Sequence, residues 1–175
     1  FASTGAAVNP ISPYALSKRQ TEDMVYQYCQ LNNKDCTIFR FYNVIGSDGY
    51  EPTNMDGLMY NLIKAIDTGE FNVYGDDYDT YDGTPLRDYI HVNEVCHAIK
   101  SAIESPSKSD NDIDNLATGS GYSVLQMVDF FKEVNNCDFK VNILPRRPGD
   151  LARSVLGDVS PYMEEKYTIL EKLKI

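Results

Sequence analysis

The order of strand-like and helix-like segments constrains the fold of this chain more than any other feature. An apolar run over residues 1–8 is followed by a helical pattern from Tyr14 to Asn33, and a β-branched and aromatic run then extends from Thr37 to Ile45. Strand and helix patterns continue to alternate downstream. Because this alternation is typical of parallel strands joined by crossover helices, the sequence predicts an α/β fold.

Capping and turn residues set the expected boundaries of the elements. Ser12 is a candidate N-cap with Pro13 at the first helical position, and Gly69 is a candidate residue just past a later helix. Further helices are predicted over residues 57–68, 94–104, 124–134 (capped by Ser123) and 163–172, and further strands over 71–74, 89–92, 113–117 and 139–144. The remaining segments are predicted to be a turn-rich stretch over 47–56, an acidic loop over 76–85, a connector over 105–112, and a turn containing Gly119 and Gly121.

Composition excludes several classes of partner. The chain has 175 residues, of which 42% are hydrophobic, and this is enough to build a core. Its net charge is −10 and it has no basic cluster, so we predict no nucleic-acid partner. No apolar run approaches the roughly 18–20 residues of a membrane span, so we predict no membrane partner. The four cysteines include no C-x-x-C pair, and we expect reduced thiols, no metal site and a cytoplasmic location.

A tyrosine and a lysine four residues apart, Tyr14 and Lys18, are the first candidates for chemistry. Their side chains share one face of the predicted helix. A nearby ammonium group favours the phenolate form of a tyrosine, which can then take a proton from a hydroxyl group. The same spacing occurs in two other pairs, Tyr60 with Lys64 and Tyr162 with Lys166. Spacing alone therefore does not choose among the three pairs, and the local context has to do so.

The context of the first pair is the segment PYALSK, residues 13–18, after a strand pattern that carries Ser3 and Thr4. This arrangement resembles the extended short-chain dehydrogenase/reductase family, in which a strand-end Ser or Thr and a Y-x-x-x-K helix form the catalytic unit. The resemblance implies that Tyr14 is the acid/base and that Thr4 holds the substrate oxygen. It also implies that Lys18 is the electrostatic partner of Tyr14 and that both bind NAD. The two other pairs lack this context, and we interpret them as structural.

Two downstream segments narrow the family. Residues 40–46, RFYNVIG, resemble the family's R-x-F-N-V-x-G segment, which implies that Phe41 and Tyr42 line the nicotinamide pocket and that Asn43 holds the phosphate or the hexose. Residues 75–92, GDDYDTYDGTPLRDYIHV, are very similar to a segment of the UDP-glucose 4-epimerases. Related dehydratases and decarboxylases keep its arginine but lack the D-G-T insertion. The resemblance to NAD-dependent UDP-hexose 4-epimerases covers essentially the whole chain.

Charged residues at matching positions imply a site for a sugar nucleotide. A pyrophosphate is bound well by planar, permanently charged groups, and Arg87 and Arg147 would supply them. The alternative for either arginine is a surface salt bridge. Asp150 resembles the carboxylate that binds the uridine ribose.

The remaining predicted substrate residues are mostly uncharged. The resemblance implies that strand 71–74 presents backbone groups to uracil through Phe71, Asn72 and Tyr74, with Leu58 packing nearby. On sequence evidence alone, Asn43, Leu58 and Phe71 could equally be ordinary helix or strand residues.

Ser154 departs from the family pattern. In the epimerases that this chain resembles, the residue at this position borders the hexose pocket, and it is bulky in enzymes restricted to glucose and galactose. A small side chain leaves space for a 2-acetamido group. We therefore hypothesise that the substrates include the N-acetylhexosamine pair as well as the plain hexoses.

The resemblance also predicts how the chain is organised. We expect residues 1–46 to be the end of an NAD-binding, doubly wound parallel Rossmann domain. Residues 47–175 are expected to be mainly a smaller UDP-sugar-binding domain, with 89–118 returning to the Rossmann sheet. No G-x-G-x-x-G cluster occurs, and the first methionine is Met24, so we expect the C-terminal half of a longer enzyme without its NAD pyrophosphate site.

The function implied by the resemblance is interconversion of UDP-glucose and UDP-galactose through a transient 4-keto sugar, by a protein that is a homodimer at full length. Two alternatives remain open. One is a related nucleotide-sugar dehydratase or decarboxylase. The other is a non-catalytic module that binds a UDP-sugar.

Overall fold

The computed structural model describes residues 1–46, 52, 54–105, 113–156, 160 and 162–175. The helices are α1 (Pro13–Leu31), α2 (Leu58–Thr68), α3 (Val92–Glu104), α4 (Val124–Asn135) and α5 (Ile169–Leu173). The strands are β1 (Ala2–Thr4), β2 (Ile38–Phe41), β3 (Asn43–Ile45), β4 (Glu70–Tyr74), β5 (Leu86–His91), β6 (Ile113–Leu116), β7 (Gly121–Ser123), β8 (Lys140–Leu144) and β9 (Arg153–Ser154). The predicted turn-rich stretch over 47–56 and the predicted connector over 105–112 lie largely outside the described residues. None of the helices in the described ranges is both long enough and apolar enough to cross a membrane.

The first strand, helix and strand form the parallel unit that the sequence predicts. β1 pairs in parallel with β2, which in turn pairs in parallel with β6. Ser12 caps α1 by accepting a hydrogen bond from the backbone N–H of Ala15 at 3.2 Å, and Pro13 follows it, so the predicted helix start is confirmed. The predicted strand over residues 1–8 is only partly correct, because β1 ends at Thr4. The Thr4 side chain accepts a hydrogen bond from the N–H of Ala6 and begins a 3₁₀ helix, Gly5–Val8.

The aromatic run over residues 37–45 forms two strands instead of the single predicted one. β2 ends at Phe41 and β3 begins at Asn43, with Tyr42 between them. β2 pairs with β1 and β6, whereas β3 pairs in parallel with β5. The break occurs because one continuous segment supplies a strand to each of two sheets.

A second parallel pair, β4 with β8, packs against α2 and α4. Leu62, Phe71, Met127 and Phe131 are buried in this cluster, and each fully buried side chain of this kind contributes roughly 1.5–3 kcal/mol. α2 ends where the sequence predicts, because Gly69 has a φ of 75° and its N–H bonds to the Ala65 carbonyl oxygen.

The strand predicted over residues 89–92 is longer and starts earlier, as β5. It gains two partners that the sequence does not predict, β7 on one edge in antiparallel register and β9 on the other in parallel register. Gly121, which we expect in a turn, lies in β7. Strands of two and three residues have no readable alternation, and their backbone becomes extended because β5 offers hydrogen-bonding edges.

The helix predicted over residues 163–172 is wrong over its first half. Only α5 is helical, and Thr168 caps it. The backbone N–H groups of Lys166 and Tyr167 donate to Oε1 of buried Glu94 at 2.8 and 3.2 Å. These bonds to a distant carboxylate replace the bonds that a helix would have needed, so the amphipathic pattern is not sufficient.

The acidic loop over residues 76–85 is a loop, as predicted, and Asp82 ties it to the rest of the fold. Its Oδ1 accepts hydrogen bonds from the backbone N–H and the hydroxyl of Thr84, both at 2.9 Å. Its Oδ2 accepts a hydrogen bond from the hydroxyl of Ser123, the N-cap of α4. The D-G-T segment thereby fixes the start of β5 beside α4.

We expect Gly83→Ala to destabilise this loop more than Gly69→Ala destabilises the end of α2. The two glycines have nearly equal φ angles, 77° and 75°, and this left-handed backbone costs any other residue about 1–2 kcal/mol. A Cβ at Gly83 would overlap the carbonyl oxygen of Asp76, whereas a Cβ at Gly69 meets no heavy atom within 4 Å. The overlap should add about 1–3 kcal/mol. Urea unfolding of both variants measures the difference, and equal losses would contradict the steric argument.

Candidate active-site cleft

A cleft of about 790 Å³ runs past the ends of β1 and β2 and along β4. It is lined by twelve of the fourteen residues that the sequence predicts for the site: Thr4, Tyr14, Phe41, Tyr42, Asn43, Leu58, Phe71, Asn72, Tyr74, Arg87, Arg147 and Asp150. The other two, Lys18 and Ser154, are not among its lining residues in the described part of the chain.

The parallel strands explain why residues so distant in sequence meet here. Thr4 is the last residue of β1, Phe41 the last of β2 and Tyr74 the last of β4. Thr4 and Phe41 are also register partners, so they lie side by side. Ligands of open α/β sheets bind outside the carboxyl ends of parallel strands, and the cleft has this position.

The tyrosine and lysine of the PYALSK segment have different surroundings. Tyr14 lies in the first turn of α1, lines the cleft and is 59% exposed. Lys18, one turn later, donates from Nζ to the carbonyl oxygen of Ala2 at 3.2 Å and lies over the ring of Phe1. The structure thus brings Tyr14 and Thr4 to one cleft and turns Lys18 toward the backbone of β1.

The segment between β2 and β3 forms the aromatic wall of the cleft. Phe41, Tyr42 and Asn43 all line it, and the Asn43 amide donates to the Asp88 carbonyl oxygen at 3.0 Å. Burial, together with the nearby Asp88 carboxylate, raises the pKa of the Tyr42 phenol, so it remains a neutral hydrogen-bonding group. Asp88 itself is fully buried and accepts hydrogen bonds from Thr118 and a backbone N–H.

A turn over residues 147–150 brings charged side chains to the cleft near Arg87. The guanidinium Nη1 of Arg87 donates to the carbonyl oxygens of Leu86 and Leu151, at 2.9 and 2.8 Å. The bond to Leu151 fixes the chain immediately after Asp150 against β5. The guanidinium of Arg147 lies 3.8 Å from the centre of the Tyr74 ring. Both arginines therefore keep donors available in the cleft, and within the described ranges neither forms the surface salt bridge considered from the sequence.

Ser154 lies next to the cleft in the sheet. It is half-buried in β9, and its register partner in β5 is Arg87, which lines the cleft. The strand β9 thus places the serine beside a cleft residue without exposing it to the cleft in this structure.

The cleft also contains polar residues that the sequence interpretation missed: Ser3, Asn54, Asp56, Asn61, Lys64, Thr68 and Glu70. Lys64 belongs to a pair that we interpret as structural from the sequence, yet its side chain lines the cleft. Lys64 and Thr68 are i and i+4 on α2, so the polar stripe of this helix, opposite its buried face, was the available signal. The third pair does have structural contacts, because Tyr162 packs edge-on against Phe39 and Lys166 pairs with Glu164.

A buried ion pair joins α1 to β2, one residue before the cleft-lining Phe41. Glu22 of α1 is 1% exposed, and Arg40 of β2 donates to its two oxygens from Nε at 2.9 Å and Nη2 at 2.6 Å. Ser3 of β1 donates its hydroxyl to Glu22 Oε1 at 2.5 Å. Burial alone would raise the pKa of the Glu22 carboxyl, but the hydrogen bonds from Arg40 and Ser3 outweigh it and hold that pKa below its ordinary value.

The parallel sheets, the crossover helices and the cleft at the strand ends define an α/β protein of the doubly wound class. More particularly, the chain belongs to the NAD dependent epimerase/dehydratase family, whose profile matches residues 2–117. The sequence-based assignment to this family is therefore confirmed.

Named relatives in this family are sugar-nucleotide epimerases. The chain is 36% identical over 180 residues to the probable UDP-arabinose 4-epimerase 3 of Arabidopsis thaliana, an alignment that covers 93% of this chain and 43% of the relative. It is 33% identical over 167 residues to the UDP-glucose 4-epimerase of Lactobacillus helveticus, covering 86% of this chain and 51% of the relative. The chain thus spans about half the length of the curated relatives it matches.

Solved structures show the same fold. The UDP-glucose 4-epimerase of Bifidobacterium longum in complex with NAD⁺ and UDP superposes with a TM-score of 0.80 at 30% identity, covering 93% of this chain and 52% of that chain. The predicted fold class, α/β with parallel strands and part of a Rossmann-type architecture, is confirmed by this match.

Proposed function

We propose that this chain carries the sugar-converting and nucleotide-binding part of an NAD-dependent UDP-sugar 4-epimerase, with UDP-glucose and UDP-galactose as its substrate pair. The observation that carries the proposal is a single cleft lined by two hydroxyl groups, two arginines and a carboxylate: Thr4, Tyr14, Arg87, Arg147 and Asp150. Hydroxyl groups suit proton transfer at a sugar hydroxyl, and guanidinium groups suit a pyrophosphate.

In the proposed reaction, Tyr14 acts as the acid and base. As a phenolate it takes the proton of the sugar 4-hydroxyl, and the Thr4 hydroxyl holds the oxygen that loses it. When bound, NAD⁺ would supply the reversible hydride acceptor that oxidation of C4 to a transient 4-ketone requires. Tyr14 then gives its proton back to the same oxygen, and the 4-hydroxyl is restored with the opposite configuration. The atoms balance, and no net oxidant or reductant is consumed.

The nucleotide must stay fixed while the 4-keto sugar turns about its bond to the phosphate. Arg87 and Arg147 are proposed to hold the pyrophosphate, and Asp150 the uridine ribose. The hydrogen bonds of Arg87 to backbone carbonyl oxygens support this assignment, because they hold its guanidinium in place before the ligand arrives. Binding energy from the non-reacting nucleotide can then position the reacting carbon.

The other cleft residues are proposed to complete the sugar-nucleotide site. Asn43 would hold the phosphate or the hexose, because its amide is oriented by its bond to the Asp88 carbonyl oxygen. The end of β4 would present backbone groups to uracil, with Leu58 packing nearby: Phe71, Asn72 and Tyr74.

The residues present fit one end of NAD. Phe41 and Tyr42 provide an aromatic wall beside Tyr14, which suits the nicotinamide ring. Lys18 is proposed to bind the adjoining ribose and to act electrostatically on Tyr14, which requires its Nζ to leave the carbonyl oxygen of Ala2. The sequence contains no glycine-rich turn for the pyrophosphate of NAD, so we assign that group no site here.

Product analysis tests the proposed function and separates it from the two alternatives. The intact protein, at its natural length, is incubated with NAD⁺ and UDP-glucose, and the products are followed by NMR. Formation of UDP-galactose supports the proposal. A 4-keto-6-deoxy sugar, or release of CO₂ from UDP-glucuronic acid, would identify a dehydratase or a decarboxylase. Binding of UDP in a calorimeter without turnover would identify a binding module.

A pentose substrate pair is the second candidate. The named Arabidopsis relative, a probable UDP-arabinose 4-epimerase, is 36% identical to this chain, slightly more than the named UDP-glucose 4-epimerase relative. The reaction at C4 requires the same groups for a pentose. A direct competition between UDP-arabinose and UDP-galactose in the same assay decides between them through the ratio of kcat/KM values.

We further propose that Ser154 admits a 2-acetamido group, and we expect Ser154→Tyr to remove activity toward UDP-N-acetylglucosamine while keeping most activity toward UDP-glucose. The proposal is supported by the register of Ser154 with Arg87, because Arg87 lines the cleft on the neighbouring strand. An added aromatic ring there would occupy the space that the acetamido group needs. Equal loss of both activities, or no acetamido activity in the unchanged protein, would contradict this proposal.

The organisation of the whole protein is also a proposal. We propose that residues 1–46 complete a Rossmann domain and that residues 47–175 mainly bind the UDP-sugar, with residues 89–118 rejoining the Rossmann sheet. The pairing of β6 with β2 supports that return.

We also propose a homodimer, which is supported by apolar side chains exposed along α1: Leu16, Met24, Tyr28 and Leu31. We propose a cytoplasmic location, which suits the free thiols of Cys29, Cys96 and Cys137.

A further inference from the structure

We infer that Glu22 is a positioning residue that sets the distance between Thr4 and Tyr14 through two strands it does not belong to. Its carboxylate binds Ser3 in β1 and Arg40 in β2 simultaneously. Ser3 itself lines the cleft, and Arg40 is adjacent in sequence to the cleft residue Phe41. The inference rests on the proposed function, because the distance matters most if the two hydroxyl groups act on one oxygen.

The register of the sheet lets the Glu22 carboxylate of α1 bond to β1 and β2 at the same time. Ser3 and Arg40 are direct partners in the β1–β2 pair, so a single side chain from α1 can reach both. The next pair in the register is Thr4 with Phe41, and both of these residues line the cleft. A displacement of Ser3 or Arg40 would therefore also shift the next residue in each strand, Thr4 or Phe41, which lines the cleft.

The same side chain also fixes α1 along its length. Tyr14, Lys18 and Glu22 are spaced i, i+4 and i+8, so they follow one another along one side of the helix. Lys18 bonds to the carbonyl oxygen of Ala2 and Glu22 to the hydroxyl of Ser3, so two successive turns of α1 are bonded to β1. Tyr14 is in the turn just before them, and its position follows from theirs.

Glu22 does not act on the substrate itself. It is 1% exposed and is not among the lining residues of the cleft. Its two oxygens are already occupied by three charge-assisted or hydroxyl donors. An effect of Glu22 on turnover must therefore pass through the residues it holds.

The test replaces the buried ion pair by apolar side chains of similar size, Glu22→Leu with Arg40→Met, in the intact protein. Such replacements of buried ion pairs are often neutral or stabilising for folding, because two charges no longer need to be desolvated. We expect the double variant to keep its Tm and its affinity for UDP, since Arg87, Arg147 and Asp150 lie on other elements. We expect its kcat to fall about tenfold, since small misplacements of reacting groups can cost up to about 10²-fold.

A matched control removes an exposed ion pair from the same helix. Arg19 and Asp23 are i and i+4 on α1, with their charged groups 3.8 Å apart and largely exposed. The double variant Arg19→Gln with Asp23→Asn should keep both kcat and Tm, because exposed pairs contribute little.

A second variant keeps the inference falsifiable if the apolar pair does not fold. Glu22→Gln retains an oxygen that can accept from Ser3 but loses the acceptor for Arg40 Nη2, so its kcat should lie between those of the unchanged protein and the apolar variant. Wild-type kcat in any folded variant that lacks the Glu22 carboxylate overturns the positioning role. If neither variant folds, Glu22 is required for folding itself, and the positioning role is rejected as well.

Failure of the proposed function has a different signature. It would appear as absent turnover in the unchanged protein, and hydrogen exchange then replaces kcat as the readout. The positioning role predicts at least tenfold faster exchange at the amides of residues 15–19 in the apolar variant, with the core of α2 and α4 unchanged. Equal protection of residues 15–19 in both proteins would overturn it.

Discussion

Tyr14→Phe is expected to reduce kcat for epimerisation by about 10²–10⁴-fold, the range that a positioned acid/base contributes. The substitution removes one oxygen from a side chain that is 59% exposed at the wall of the cleft. No hydrogen bond of the fold depends on that oxygen in the described structure, so Tm should stay unchanged. The affinity for UDP should also stay unchanged, because the arginines and Asp150 are untouched. Initial rates under saturating UDP-sugar, together with calorimetric binding of UDP, measure the two effects separately.

The chain offers two matched controls for this experiment. Tyr60→Phe and Tyr162→Phe remove the same atom from the two other tyrosines that precede a lysine by four residues. Neither tyrosine lines the cleft, so both variants should keep kcat within about twofold. If Tyr14→Phe retained wild-type turnover, or if either control lost as much activity, the choice of Tyr14 as the acid/base would be wrong.

Where local chemistry sets the structure, the sequence was sufficient to predict it. Ser12 and Ser123 each accept a backbone N–H at a helix start, and Gly69 supplies the left-handed residue that ends α2. These signals depend on residues within one turn of the chain. The alternation of such helices with strands then led to the parallel sheets.

Where tertiary contacts override local preference, the prediction failed. Residues 163–168 have a helical pattern, but two of their backbone N–H groups bond to Glu94, some seventy residues earlier in the chain. β9 exists because β5 has an edge to pair with, and the two-residue sequence of β9 carries no sign of this. Interactions between residues so far apart cannot be read from local periodicity.

The candidate site shows the same division. The family motifs led to twelve residues that do line one cleft, because motif residues at strand ends converge in a parallel sheet. The orientation of a long, flexible side chain does not follow from a motif. Lys18 lies at the expected position on α1, yet its Nζ bonds to a backbone carbonyl oxygen. Lys64 is the opposite case, because it belongs to none of the family motifs and still lines the cleft.

Arg147→Met is expected to weaken UDP binding about 10–100-fold, which corresponds to roughly 1.5–3 kcal/mol for hydrogen bonds to a charged group. Met keeps an unbranched, apolar side chain of similar length but has no donor for a phosphate oxygen. Arg147 is exposed, and its contact with Tyr74 holds its guanidinium over a cleft-lining ring, so the fold should lose at most about 1 kcal/mol. Calorimetry with UDP, uridine and inorganic phosphate assigns the loss, because only ligands with a pyrophosphate should be affected strongly.

The neighbouring arginine provides the control, because it has the same charge and a similar ring contact outside the cleft. The guanidinium of Arg146 lies 4.0 Å from the centre of the Tyr78 ring and pairs with Asp77, and Arg146 does not line the cleft. Arg146→Met removes the same net charge, so it corrects for the general change in electrostatic potential. It should change UDP affinity by less than about threefold at 0.15 M salt, where exposed charges are screened over about 8 Å. If Arg146→Met weakened binding as much as Arg147→Met, the pyrophosphate would be attracted by overall charge and would not be held by Arg147.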